Sequence, residues 1–137
     1  MSDISIKNNK ELQKYINELS SDVELNVRNL REKSLMSSSI WAKWLSYLFH
    51  EKENLDRIVE MKQKIIKKKS SNNLSDSVLR MKSEEKISEN DENIKKLNSL
   101  QKITKDNIDF IERALTILSN FGFQIKNTTD IIKLTNN

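Results

Sequence analysis

The chain has neither cysteine nor proline, and its only glycine is Gly122. Without cysteine there is no disulfide framework and no thiol chemistry. With so few residues that end helices, long uninterrupted helices are expected. No apolar run is long enough to cross a membrane, and Met1-Ser2-Asp3-Ile4 lacks a signal-peptide pattern. These absences predict a cytoplasmic chain with no membrane contact.

Residues that carry catalysis or hold metals are also scarce. His50 is the only histidine, and a lone histidine beside Phe49 on a helix is more often a surface or interface residue than a ligand. A metal site needs several more ligands at suitable spacing. The chain has no glycine-rich phosphate loop, nucleophile elbow or EF-hand pattern. The sequence therefore predicts no enzyme activity and no metal or other cofactor.

Of the 137 residues, 36% are apolar and 32% are charged. A chain this polar cannot bury every helix on all sides, so long helices that share narrow apolar seams are expected. We predict a single helical domain over 1–137. It comprises an N-terminal half (1–69), a flexible linker (70–87) and C-terminal helices that mediate oligomerisation (88–137).

Helical periodicity predicts the all-α fold in more detail. A short amphipathic helix is expected over 9–20, and Asn26 is a plausible N-cap for a long helix over 27–69. Ser88, with Asp91 three residues later, resembles the capping box of a third helix that ends near Phe121 with Gly122 as its C′ residue. A short terminal helix follows, capped by Asn127 or Thr128. The two long helices would form an antiparallel hairpin.

Each long helix carries two apolar tracks at heptad spacing. The hairpin uses one track of each helix. The other track must therefore pack against another subunit or remain exposed to solvent. Head-to-tail contacts of this kind close into rings or grow into filaments. The alternative is a monomeric bundle in which the short helices cover the second track. The predicted oligomerisation residues are Phe110, Ile111, Ala114, Leu115, Ile117, Leu118 and Phe121.

The strongest charge feature is basic. Six cations and one acid, Glu60, fall between residues 57 and 69, which gives this segment a net charge of +5. Such a stripe suits a phosphate backbone, without sequence preference. The alternative is a solvated helix end with no binding role. The predicted DNA-binding residues are Arg57, Lys62, Lys64, Lys67, Lys68 and Lys69.

Two further features have ambiguous roles. Base-stacking platforms are conceivable at Trp41, Trp44, Tyr47 and Phe49, but heptad spacing favours core or interface positions for most of them. The stretch 82–92 has five acids and two lysines. It either keeps a loop soluble, repels DNA, or pairs with the basic stripe of a neighbouring subunit.

Several short segments, taken in order, resemble the UvsY family of recombination mediators from T-even-like bacteriophages. The resemblance covers nearly the whole chain after about the first ten residues. The segments are Asn17-Glu18-Leu19, Asp22-Val23, Lys43-Trp44-Leu45, Arg57-Ile58, Lys82-Ser83-Glu84, Ser99-Leu100-Gln101 and Gly122-Phe123-Gln124-Ile125-Lys126.

The resemblance implies a helical homo-oligomeric ring, a heptamer, with assembly linked to the C-terminal region. It implies binding of single-stranded DNA, displacement of the phage single-strand-binding protein and loading of a UvsX-like recombinase in the cytoplasm of the infected host. The family's Lys-x-Arg-Leu pattern falls on Lys67, Lys68, Lys69 and Ser70. Lysine in place of arginine keeps the charge and loses bidentate phosphate geometry. The rival function is a structural coiled-coil adaptor with no nucleic-acid role.

Overall fold

The structure is a computed structural model that describes residues 9–26, 28–70 and 91–135. These residues form three helices, α1 (Lys10–Asp22), α2 (Leu30–Ser70) and α3 (Glu92–Thr135). The described ranges contain no strand, which confirms the predicted all-α class. The predicted linker lies outside the described residues, except for Ser70 at the end of α2.

Asparagine side chains mark the starts of the first two helices. The Asn9 carboxamide oxygen accepts from the Leu12 backbone N–H at 3.0 Å and caps α1. Asn26 is not the N-cap of α2. Its side chain accepts from the Asn29 N–H at 3.0 Å, while the Asn29 side chain accepts from the Asn26 N–H at 2.8 Å. This reciprocal pair orders the turn, and α2 begins at the residue after Asn29.

The third helix differs from the prediction at both ends. Asp91 itself caps its start, accepting at Oδ1 from the backbone N–H groups of Asn93 (2.8 Å) and Ile94 (3.1 Å). Ser88 lies outside the described residues. The helix does not end at Phe121, and there is no separate terminal helix, because α3 runs through Gly122 to Thr135.

The apolar repeat explains this continuation. Ala114, Leu118, Phe121 and Ile125 are all buried at helical spacing, so one stripe passes Gly122 without a break. The Thr128 hydroxyl donates to the backbone oxygen of Gln124 at 2.8 Å, four residues back, as it does inside a helix rather than at an N-cap. The predicted caps at Asn127 and Thr128 are therefore wrong.

The described residues form two compact units. The first contains those up to His50 and those from Asn107 onward. In it, Trp44 is fully buried, and its ring lies 5.9 Å from that of Tyr15 and 6.3 Å from that of Phe110, measured between centroids. The aromatic cluster thus joins α1, α2 and α3. A buried amide pair, Asn9 Nδ2 to Asn107 Oδ1 at 2.9 Å, links the start of α1 to α3.

The second unit contains the described residues between Glu51 and Asp106. Here the end of α2 and the start of α3 are antiparallel, since Lys62 reaches Gln101 and Lys69 reaches Asp91. Ile94 and Leu97 of α3 are buried. This unit carries the predicted basic segment, so it is the part of the fold that positions the candidate site.

Candidate nucleic-acid interface

The last ten residues of α2 contain five lysines and no acid. Cations are favoured in the last turn of a helix, where they offset the partial negative charge of the unpaired carbonyls. Four of the predicted DNA-binding residues are exposed and lie near one another on α2. The second follows the first by seven residues, and the last two follow the second by three and four. We call this set the cationic surface: Arg57, Lys64, Lys67 and Lys68.

Two predicted DNA-binding lysines are engaged within the chain. Lys62 is half-buried, and its ammonium donates to Gln101 Oε1 at 2.7 Å. Lys69 is exposed, yet it forms an ion pair with Asp91 Oδ2. Both side chains therefore join α2 to α3, which makes their charges less available to a ligand.

Arg57 of the cationic surface has an acidic neighbour. Its guanidinium lies 3.8 Å from Glu53, and both side chains are 69% exposed. An ion pair this long and this exposed contributes little and is easily exchanged for another anion. Arg57 is thus accessible to a phosphate.

A groove runs beside the end of α2. It is lined by Ile65, Lys68 and Lys69 of α2 and by Asn93 of α3. The Lys68 ammonium and the Asn93 amide therefore border the Ile65 side chain. This combination suits an anion with a less polar part attached, such as a nucleotide.

The predicted oligomerisation residues differ in how far the chain buries them. Ile111, Ala114, Leu118 and Phe121 are buried within the chain, while Phe110 and Leu115 are half-buried. Ile117 is 46% exposed. The chain's own packing thus covers more of these side chains than is expected for the hairpin alone. Helix α1 contributes to this packing, because its residues Leu12, Tyr15 and Leu19 are buried.

The four aromatic residues of α2 also divide. Trp44 is buried and Tyr47 is half-buried, in agreement with the predicted core positions. Trp41 and Phe49 are exposed. These two therefore remain accessible on the described surface of the first unit.

A polar cluster in the first unit was not predicted. Asp22 Oδ2 accepts from both Lys43 Nζ and Trp44 Nε1, each at 2.8 Å. Glu18 Oε1 accepts from the Tyr47 hydroxyl at 2.9 Å and lies 3.4 Å from Lys43 Nζ. Because these hydrogen bonds and ion pairs join α1 to α2, the cluster holds the first helix in place.

The cluster raises the pKa values of Lys43 and Tyr47. Burial disfavours the charged form of Lys43, but the hydrogen bond and charge of Asp22, aided by Glu18, outweigh burial and raise the pKa of the ammonium above 10.5. Burial, with the hydrogen bond to Glu18, raises the pKa of the Tyr47 phenol above 10.0. Both groups keep their protons at neutral pH, so the cluster is a structural element there.

The described residues were also compared with what a metal site or a membrane-spanning helix requires. Within them, no three His, Cys, Asp or Glu side chains gather closely enough to hold a metal ion. His50 is exposed. No described helix combines the length and apolar character needed to span a membrane. The acidic stretch 82–92 lies mostly outside the described residues, and Asp91, which is described, pairs with a lysine of its own chain.

Two comparisons with known proteins gave matches. A family profile, "Recombination, repair and ssDNA binding protein UvsY", matches residues 18–137. Two crystal structures of the bacteriophage T4 recombination mediator protein UvsY, lattice types IV and II, have TM-scores of 0.71 and 0.72 at 21% identity. They cover 93% and 92% of this chain, and 98% of each solved chain. This likeness shows a shared fold. A search of curated proteins found no match.

Proposed function

Because the chain belongs to the UvsY family of recombination, repair and single-stranded-DNA-binding proteins, we propose that it is a recombination mediator that holds single-stranded DNA on the cationic surface of α2. The observation that carries the proposal is the placement of Arg57, Lys64, Lys67 and Lys68, exposed together on one helix end. A flexible phosphate backbone can follow such a stripe. No base-reading pattern accompanies it in the sequence, so binding is indifferent to sequence.

The proposed mechanism is non-enzymatic. Single-stranded DNA in the infected cell is covered by the phage single-strand-binding protein, which blocks a UvsX-like recombinase. A mediator shifts this balance only if it binds the recombinase-ready DNA more tightly than the blocked form. Electrostatic contacts to the DNA backbone leave the bases accessible. This supports a role in transferring the strand to a recombinase.

Assembly into a homo-oligomeric ring, expected as a heptamer, is the second part of the proposal. Several copies of one cationic surface on the same strand raise its effective concentration and so strengthen binding without any additional interaction per copy. Large apolar side chains remain exposed in the first unit and support self-association. Those on α3 are Ile117, Phe123, Ile131 and Leu134.

Fluorescence anisotropy with a labelled oligonucleotide, at about 50 and 200 mM salt, tests DNA binding. The variant with Lys64, Lys67 and Lys68 changed to Ala should bind more weakly and show a flatter salt dependence, by about 0.7 in slope for each phosphate that is no longer neutralised. The charge-matched control changes Lys10, Lys14 and Lys126 to Ala, three exposed lysines of the first unit. It should bind like the parent.

Two results would contradict the proposal. If the parent protein does not bind oligonucleotides at low salt, the role of a structural adaptor explains the chain better. If both triple variants weaken binding equally, net charge rather than the cationic surface is responsible.

Analytical ultracentrifugation tests the assembly. The double variant Ile117→Ser, Phe123→Ser should lower the assembled mass, because it removes two exposed apolar side chains from α3. The control Asn120→Ser alters an exposed polar residue of the same helix segment and should leave the mass unchanged. A parent protein with the mass of one chain at micromolar concentration would contradict the ring.

A further inference from the structure

The second unit places lysines of α3 beside the cationic surface of α2. The pairs Lys69–Asp91 and Lys62–Gln101 fix the register of the two antiparallel segments. Moving forward along α3 from Asp91 to Gln101 therefore means moving backward along α2 from Lys69 to Lys62. Four lysines of α3 lie in this unit: Lys95, Lys96, Lys102 and Lys105.

The groove identifies the relevant side of α3. Asn93 lines it together with Lys68, so Asn93 and Lys68 flank the helix pair on the same side. Lys96 follows Asn93 by three residues, which puts it one turn further along that face. Lys96 is exposed. By the register above, it lies across from the turn of α2 that carries Lys64.

The other three lysines lie on the opposite side of the buried seam. Ile94, Leu97 and Gln101 mark the face of α3 that meets α2. At about 100° per residue, Lys95, Lys102 and Lys105 fall on one flank of this seam and Lys96 on the other. Lys95 also has an acid beside it, Glu92, at 3.7 Å. Lys96 is thus the one α3 lysine of the described part of this unit that extends the cationic surface.

We infer that the phosphate backbone of the bound strand crosses from α2 onto α3, where it contacts Lys96 and Asn93. This inference rests on the proposed function and adds a binding surface to it. The Lys96 ammonium neutralises a phosphate charge. The Asn93 amide donates to a phosphate oxygen, a contact that positions the strand without reading a base. The strand then lies across the helix pair instead of along α2 alone.

The test compares Lys96→Ala with Lys102→Ala in the full chain. Both remove one exposed lysine from α3, so they match in helix, residue type and net charge. Anisotropy titrations over a range of salt should show that Lys96→Ala lowers the slope by about 0.7 for each copy that the oligonucleotide engages. Lys102→Ala should keep the parental slope. Asn93→Ala should weaken binding with the slope unchanged, because it removes a neutral donor.

The outcomes separate this inference from the proposed function. Equal slopes for Lys96→Ala and the parent, while the Lys64, Lys67, Lys68 triple variant loses binding, would overturn the inference alone. Equal reductions of the salt slope in Lys96→Ala and Lys102→Ala would also overturn it, because the inference states that only the Lys96 side of α3 contacts the strand. A parent that does not bind at low salt would overturn both. Circular dichroism melts of each variant confirm that the helices are retained.

Discussion

The ammonium of Lys69 pairs with Asp91 Oδ2, while Oδ1 of the same carboxylate accepts from the first backbone N–H groups of α3. One acid thus joins the end of α2 to the start of α3 and caps α3. The charge of Lys69 is largely balanced within the chain. Lys67, two residues earlier, is exposed and belongs to the cationic surface.

This difference predicts that the two lysines contribute unequally to DNA binding. Lys67→Ala should lower the salt slope of oligonucleotide binding by about 0.7 for each copy engaged. Lys69→Ala should change the slope much less, and should lower the free energy of unfolding by at most about 1 kcal/mol, because the pair is partly exposed. Salt-dependent anisotropy and urea denaturation measure the two effects. Equal reductions of the slope in both variants would contradict the assignment.

Asp91→Asn gives the reciprocal prediction. Asparagine is as good an N-cap as aspartate, so α3 should keep its start. The ion pair is removed, however, and Lys69 becomes available to phosphate. The salt slope should therefore become steeper, by about 0.7 for each copy engaged. The control Glu92→Gln removes an exposed acid one residue later, and a matching increase there would indicate a general charge effect.

Local sequence patterns predicted the helices well and the assignments of individual side chains less well. Spacing of apolar residues placed α1 and α2 to within about three residues at each end. The engagement of Lys62 and Lys69 was not predictable, because their partners lie 39 and 22 residues away. Asn107 likewise interrupts an apolar track, and its partner Asn9 is 98 residues distant. Glycine often follows the end of a helix, and for that reason the sequence predicts that α3 ends before Gly122. The buried stripe nevertheless continues past this residue.

The Asp22 carboxylate is expected to be important for the first unit. It stands at the C-terminal end of α1, where a helix dipole disfavours an acid, and it accepts the indole N–H of fully buried Trp44. Asp22→Ala should lower the free energy of unfolding by about 1–3 kcal/mol, because the indole donor is left unsatisfied. Urea denaturation followed by tryptophan fluorescence measures this. Glu11→Ala changes an exposed acid in the first turn of the same helix. It should lower the free energy of unfolding by less than about 1 kcal/mol, the size of a favourable helix-dipole interaction.

The same cluster predicts a loss of stability in alkali. The pKa values of Tyr47 and Lys43 are raised on folding, from ordinary values of 10.0 and 10.5. The folded state therefore holds these protons more tightly, and the stabilisation is complete below pH 10.0 and declines as the pH rises through the folded pKa values. Urea denaturation on both sides of pH 10.5 should show this decline. Tyr47→Phe should make it shallower, and a decline as steep as the parent's would exclude Tyr47 as a contributor.

Gly122 offers a direct test of the continuous α3 helix. Its φ lies outside the left-handed region, and a Cβ added there would meet no atom within 4 Å. Alanine is favoured over glycine inside a helix by about 0.5–1 kcal/mol, so Gly122→Ala should raise the free energy of unfolding by roughly that amount. If Gly122 instead ended the helix in a left-handed conformation, the same change would destabilise the protein, because alanine adopts that conformation at a cost. Ser119→Ala, an exposed site one turn earlier, controls for helix propensity alone. A destabilised Gly122→Ala beside a stabilised or neutral Ser119→Ala would show that α3 ends at residue 121 in solution.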